Sequence, residues 1–262
     1  MPRSGYALLA LLLVGAAGLR FVGLDRDVRR GSPTPDEWEN FIGPVAQMWE
    51  HHTANPHVHG GYPGLFNWIA FLPMGLGARL GGESGACLAA RALVAAFGTL
   101  NVLLAWLALR RAWGLPAAFF GAALLAVSRS EVSEAHFITP DVLVVSAFLA
   151  LLLAAPARPA GLWTGAWAGV GMAVKYSGVL LFAAAAADVM AQRRWKRLLA
   201  VGAAGAGAFA LAAPFALLWR GDQKRGVSEL VSYYFGPAVR GRFTDTVPRQ
   251  LAEVASWIWI NL

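Results

Sequence analysis

Apolar residues arrive in long blocks, and each block ends at a charge, a glycine or a proline. The first block runs from Tyr6 to Leu24. A long mixed stretch, 25–85, follows, and Cys87–Leu109 is a clean apolar run closed by Arg110 and Arg111. The block 115–155 is apolar at both ends but carries SRSEVSEAHFITPD (128–141) in its middle. Block 160–191 has the same form, with Lys175 and Tyr176 at its centre. After QRRWKR (192–197), Leu198–Trp219 closes the series. Such blocks fit helices that cross a bilayer, which need ~20 apolar residues each. Transmembrane barrels show short alternating segments instead.

Basic residues give the sidedness, because short cytoplasmic loops are rich in Lys and Arg. Arg110-Arg111, Arg158 and Arg193-Arg194-Lys196-Arg197 are assigned inside. Neighbouring basic loops require an even number of crossings between them. The block 115–155 is therefore two spans with SRSEVSEAHFITPD at the outer turn, and 160–191 is two short spans with Lys175 at another. The alternative is one tilted helix holding a buried lysine. That costs roughly 2.5–3.5 kcal/mol and breaks the parity, although each half of the hairpin is short for a full span.

The expectation is an all-α polytopic transmembrane bundle of about seven spans. They are 6–24, 87–109, 115–128, 140–155, 160–174, 177–191 and 198–219, in one membrane-embedded module over 1–262. Residues 25–85 form the first extracytoplasmic loop. Tyr6–Leu24 has no clear small-x-small cleavage site before Arg20 and reads as an uncleaved signal anchor, with a cleaved signal peptide as the alternative. Arg20, Arg26, Arg29 and Arg30 fall outside, against the rule; either the rule is weakly obeyed or something anionic binds there. The chain stops at SWIWINL with no polar tail, as the front part of a longer protein would.

Composition agrees. At 57% hydrophobic and 14% charged, the chain carries too little charge for a soluble domain. The net charge of +7 would raise nucleic acid as a partner for a soluble protein. Here the cations cluster at the ends of apolar runs and mark topology, so no nucleic acid is expected. A single cysteine, Cys87, excludes an intramolecular disulfide and a Cys-based zinc site. Eleven tryptophans, many near span ends, fit interfacial belts. Gly161, Gly165 and Gly169 repeat at a spacing that suits close helix packing.

Chemistry gathers on the outer side. Thr34-Pro35-Asp36-Glu37 predicts a helix start with a capping box. The helix continues with Trp38, Phe41, Ile42, Val45, Met48 and Trp49 on one side and Asp36, Asn40, Gln47 and His51 towards the other. That is an amphipathic helix at the outer interface. Capping occupies Glu37; Asp36 has no such duty and is the stronger candidate for chemistry. The segment 61–80, broken by Pro63 and Pro73, reads as a short re-entrant or surface helix. His51, His52, His57 and His59 match no metal-ligand spacing and read as a solvated loop. The other outer turns bring Glu131, Glu134, His136, Asp141, Lys175 and Tyr176, and Arg91 lies about one turn inside its span. Capping accounts for Asp141, and snorkelling for Lys175 and Arg91, taken singly. Together they put an acid, cations and an aromatic on one side of the membrane, around one anionic lipid headgroup.

Five pieces in order carry a resemblance: PDEWEN after the first span, GYPGLFNWIAF, AARALVAAFGTLNVLLAWLALRRAWG, EAHFITPDVLVVSAFLALLL and GVGMAVKYSGVLL. Over nearly its whole length the chain resembles the GT-C class of polyprenyl-phosphate-sugar-dependent glycosyltransferases, in the protein O-mannosyltransferase and aminoarabinose-transferase branch. The resemblance implies that Asp36, with Glu37 completing the pair, is the catalytic base, and that Asp141 is the second-loop acid. It places Lys175 near the lipid phosphate and gives Arg91 a phosphate-binding or structural duty; Tyr176 and His136 are grouped with the donor contacts by their position on the outer turns, not by the resemblance. Two departures stand out: Pro63-Gly64 replaces paired prolines, and the C-terminal half of such enzymes is missing.

The implied partners are a polyprenyl-phosphate-linked sugar, membrane lipids and an acceptor glycan, lipid or protein. No cofactor is evident, and a carboxylate-bound divalent ion stays open. One convincing carboxylate fits direct, inverting attack better than a two-carboxylate retaining scheme. Two other classes compete. A transporter or channel would put its charges near the midplane and show an inverted repeat. A lipid-binding scaffold would tolerate loss of Asp36.

Overall fold

The computed structural model describes residues 3–26, 28, 33–56, 62–155 and 160–218. Arg29, Arg30, His57, His59, Arg158, Trp219 and the terminal SWIWINL lie outside the described residues. Among those described, the protein is helical, with no strand.

Helix α1 is Arg3–Phe21, and α2 covers 35–50. The helical stretch Leu65–Val127 is broken at Gly81–Gly82 and at Gly114, where Gly82 (φ 60°) and Gly114 (φ 86°) adopt the left-handed region that favours glycine. It therefore divides into α3 (65–80), α4 (83–113) and α5 (115–127). Next come α6 (Arg129–Glu134), α7 (Asp141–Ala154), α8 (Ala160–Val174), α9 (Leu180–Ala191), α10 (Leu198–Ala212) and α11 (Pro214–Leu218). Leu65–Val127 is long and apolar enough to cross a membrane; Gly5–Phe21, Asp141–Ala154 and Tyr176–Ala191 are shorter apolar helices. Leu11, Phe120, Leu199 and Leu211 are exposed on the outward faces, a distribution suited to lipid rather than water.

Residue pairings fix the helix directions. Gly77 and Gly85 meet backbone to backbone, so α3 folds back along α4. Gly121 of α5 meets Leu109 of α4, and Arg20 of α1 reaches Gly98 of α4 while the Leu24 carbonyl reaches Arg91. Both α1 and α5 are thus antiparallel to α4. Asn101 donates to the Val142 carbonyl (3.0 Å) and Arg111 to the Leu153 carbonyl (3.4 Å), so α7 runs parallel to α4. Lys175 meets Asp141, and Gly171 approaches Ala147, which sets α8 antiparallel to α7. Accordingly α1, α5, α8 and α10 point one way, and α4, α7 and α9 the other.

The polar centre of 160–191 is a turn. Lys175 is extended (φ −151°, ψ 138°), a short 3-10 turn Tyr176–Val179 follows, and Gly178 packs on Gly171. The glycine repeat serves the next contact: Gly165 lies on the Val201 backbone and Gly169 on that of Gly205. A side chain at either position has no room. Gly165→Leu is expected to destabilise by about 1–3 kcal/mol, read as a lower thermal midpoint in lipid nanodiscs, whereas Gly202→Leu, which meets open space, leaves it unchanged.

Two features depart from the sequence reading. The apolar stripe of α2 is not laid on lipid: Phe41, Ile42, Val45 and Met48 are buried with Phe66, Ala70 and Met74 of α3 and Ala90 and Val94 of α4. Trp49 stacks on Phe71 (4.3 Å, rings 4° apart) and donates to its carbonyl at 3.1 Å. The physical reason is that α3 presents a matching apolar side, so the two segments bury each other. Second, Arg20 is fully buried. Its guanidinium donates to the carbonyls of Ala126 (2.9 Å) and Leu125 (3.1 Å), closing the C-terminus of α5. One arginine on the unexpected side thus serves a helix end.

Candidate functional site

The start of α2 forms as its sequence dictates. The Thr34 hydroxyl accepts from the Glu37 N–H (3.3 Å), and Glu37 Oε2 accepts from the Thr34 N–H (2.9 Å), a complete capping box. The same carboxylate reaches two other elements. Oε1 accepts from Arg91 Nε on α4 (2.9 Å) and from the Ile138 N–H ahead of α7 (2.9 Å); Oε2 accepts from Arg91 Nη2 (2.8 Å). Arg91 also donates to the Leu24 carbonyl (3.1 Å) and lies 5.6 Å from the Phe137 ring. Both partners are buried. Burial alone would raise the Glu37 pKa; the Arg91 guanidinium and the Ile138 and Thr34 N–H groups outweigh it and hold the carboxyl below its usual range.

Asp36, one residue earlier, is exposed. Its Oδ1 accepts from Asn40 Nδ2 at 2.7 Å. The following turn, Trp38–Ile42, is π-helical, a local widening often found at functional sites. Adjoining α2, Asp141 accepts from the Thr139 hydroxyl (2.8 Å) and, through both oxygens, from Lys175 Nζ (2.8 Å each). Lys175 Nζ lies 5.8 Å from the Tyr62 ring, Tyr62 meets Phe41 edge-on at 5.1 Å, and Phe41 meets Phe66 likewise.

Two linked clusters therefore occupy one end of the bundle. Glu37, Arg91 and the Ile138 N–H form one, with the exposed Asp36 beside it in sequence; Asp141, Lys175 and Tyr62 form the other. The Ile138–Asp141 segment and Phe41 join them. Tyr176 packs beside Phe209 of α10 and Ala213 just after it. His136 is directed elsewhere: Nδ1 lies 2.7 Å from the Val132 carbonyl and Nε2 3.1 Å from that of Val22. It lines a surface cavity of about 540 Å³ with Arg26, Arg129 and Phe137. Glu131 lies beside Arg20, and burial pushes its carboxyl up more than the guanidinium lowers it. His51 and His52 are exposed. Among the described residues, no three His, Cys, Asp or Glu side chains gather as a metal set.

Sequence reasoning missed Tyr62, Asn67 and the Ile138 N–H. Nothing local distinguishes Tyr62 or Ile138, because their partners come from distant segments.

A family model described as dolichyl-phosphate-mannose-protein mannosyltransferase matches residues 63–219. The matched range holds Arg91, His136, Asp141, Lys175 and Tyr176, while Asp36 and Glu37 precede it. No curated protein and no solved structure matches the chain. Since the match spans more than half of the sequence, the chain belongs to the dolichyl-phosphate-mannose-protein mannosyltransferase family, membrane glycosyltransferases of the GT-C type.

Proposed function

We propose that the protein moves a sugar from a polyprenyl-phosphate donor to an acceptor on the extracytoplasmic side, with inversion, and that Asp36 is the general base. The observation that carries this reading is the contrast between neighbours: Glu37 is buried and held by three segments, whereas Asp36 projects outward with its carboxylate accessible. A rigid anchor directly beside an open carboxylate is what in-line attack requires.

The acceptor group loses its proton to Asp36 as it attacks the anomeric carbon. The bond from that carbon to the phosphate oxygen breaks, and polyprenyl phosphate leaves with the electron pair. Lys175 is the cation for that phosphate. Its pair with Asp141 is partly exposed, with side chains 27% and 47% accessible. Such a pair is weak, so the ammonium can turn to an incoming phosphate. Glu37 and Arg91 position α2 and touch no substrate. The helix directions support seven alternating spans, with Arg110, Arg111 and residues 193–197 at the end opposite Asp36, hence cytoplasmic.

The test uses the full chain in nanodiscs with a panel of polyprenyl-phosphate sugars, polyprenyl-phosphate mannose first. Released polyprenyl phosphate and the anomeric configuration of the product are measured. Turnover with inversion is expected. Retention of configuration, or saturable donor binding without turnover for every sugar, overturns the proposal.

A further inference from the structure

The accessible carboxylate of Asp36 is not held by its own backbone alone. Asn40 Nδ2 donates to Asp36 Oδ1 at 2.7 Å and also approaches the Asp36 carbonyl at 3.3 Å. The position of Asn40 depends on a second helix. In an α-helix the carbonyl of residue 40 would accept from the N–H of residue 44, and residue 44 is Pro44, which has none. Asn67 Nδ2, in the first turns of α3, donates to that carbonyl at 3.1 Å. Asn67 is completely buried, and its Oδ1 has no hydrogen-bond partner. Its amide thus uses its donor side on the Asn40 carbonyl, in an irregular turn where Pro44 has no N–H to supply an α-helical partner.

We infer that Asn67 and Asn40 are positioning residues for the reaction: Asn67 holds the Asn40 backbone, and the Asn40 side chain orients the Asp36 carboxylate, leaving Oδ2 to take the proton. This rests on Asp36 being the base. The π-helical turn belongs to the same arrangement. It spans Trp38–Ile42 and ends at Gly43, whose N–H donates to the Trp38 carbonyl five residues back. The turn that carries Asn40 is therefore irregular and secured from outside itself.

The experiment measures kcat and donor KM in nanodiscs with polyprenyl-phosphate mannose for Asn40→Ala, Asn67→Ala, their double variant and Asp36→Asn, with a cryo-EM structure of Asn67→Ala. Each single alanine variant is expected to lower kcat about 10- to 100-fold, the range of one hydrogen bond to a charged group, with KM unchanged. The double variant is expected to be no worse than Asn40→Ala, because both act through one line. The Asn67→Ala structure is expected to show Asp36 and Asn40 out of hydrogen-bond reach.

Fully additive losses, wild-type kcat in either single variant, or an unchanged Asp36–Asn40 contact overturn the inference. A lowered thermal midpoint with normal kcat per folded enzyme does the same, since it marks a purely structural role. If Asp36→Asn is fully active, the base assignment itself fails. If Asp36→Asn is inactive while Asn40→Ala is normal, the positioning inference alone fails.

Discussion

Asp36→Asn is expected to lower sugar transfer by about 10²- to 10⁴-fold, the contribution of a positioned general base, with donor affinity unchanged. The substitution is close to isosteric, and an asparagine at position 36 still offers an oxygen to the Asn40 amide, so local geometry is kept while basicity is lost. Glu37 cannot substitute for it. Its carboxylate is buried, points into the protein and is committed to Arg91, Thr34 and Ile138. Initial rates at saturating donor, paired with equilibrium donor binding, give the answer. Undiminished rates would remove Asp36 from the chemistry and transfer the role to Asp141, whose carboxylate already lies against Lys175.

Arg91→Ala is expected to have the largest effect on stability, about 3–5 kcal/mol, because it leaves Glu37 charged, buried and short of its main partner. Replacing both residues, as Glu37→Leu with Arg91→Met, is expected to cost less than Arg91→Ala alone, since no charge is then stranded. The double variant still loses transfer activity, because α2 is no longer tied to α4 and to Ile138. The pair also sets an acid limit. The folded-state pKa of Glu37 lies below its ordinary value of 4.5, so its stabilisation is complete above that value. It fades as the pH falls through the lower, folded-state pKa. Thermal midpoints in nanodiscs from neutral to acid pH test this; an Arg91→Ala protein that melts with wild type would refute it.

Helix positions were legible in the sequence because lipid imposes a simple rule: long apolar blocks interrupted by charge. The turn at Lys175 and the glycine contacts of α8 followed from the same rule and from residue size. The capping box at Thr34 was legible because all its partners lie within four residues. The destination of Arg91 was not, as its partner Glu37 is 54 residues away and either of two duties fitted the position. The α2 stripe was read as facing lipid because an apolar stripe alone does not say whether lipid or a second helix covers it. Asn67 was invisible for a similar reason: the missing donor of Pro44 is written in the sequence, but the residue that replaces it is not.

The buried arginine of α1 constrains how the chain is made. Arg20 is synthesised 106 residues before the carbonyl of Ala126 that will receive it. At 5–20 residues per second that interval lasts roughly 5–20 s. Throughout it, the first helix holds a cation that has the carbonyl of its own Ala16 in reach but not those of Leu125 and Ala126. A growing chain keeps such a side chain at the headgroup level, in contact with water. Only when α5 emerges does the guanidinium withdraw into protein. Closure of this end of the bundle therefore follows synthesis of α5, and until then the first helix lacks that contact.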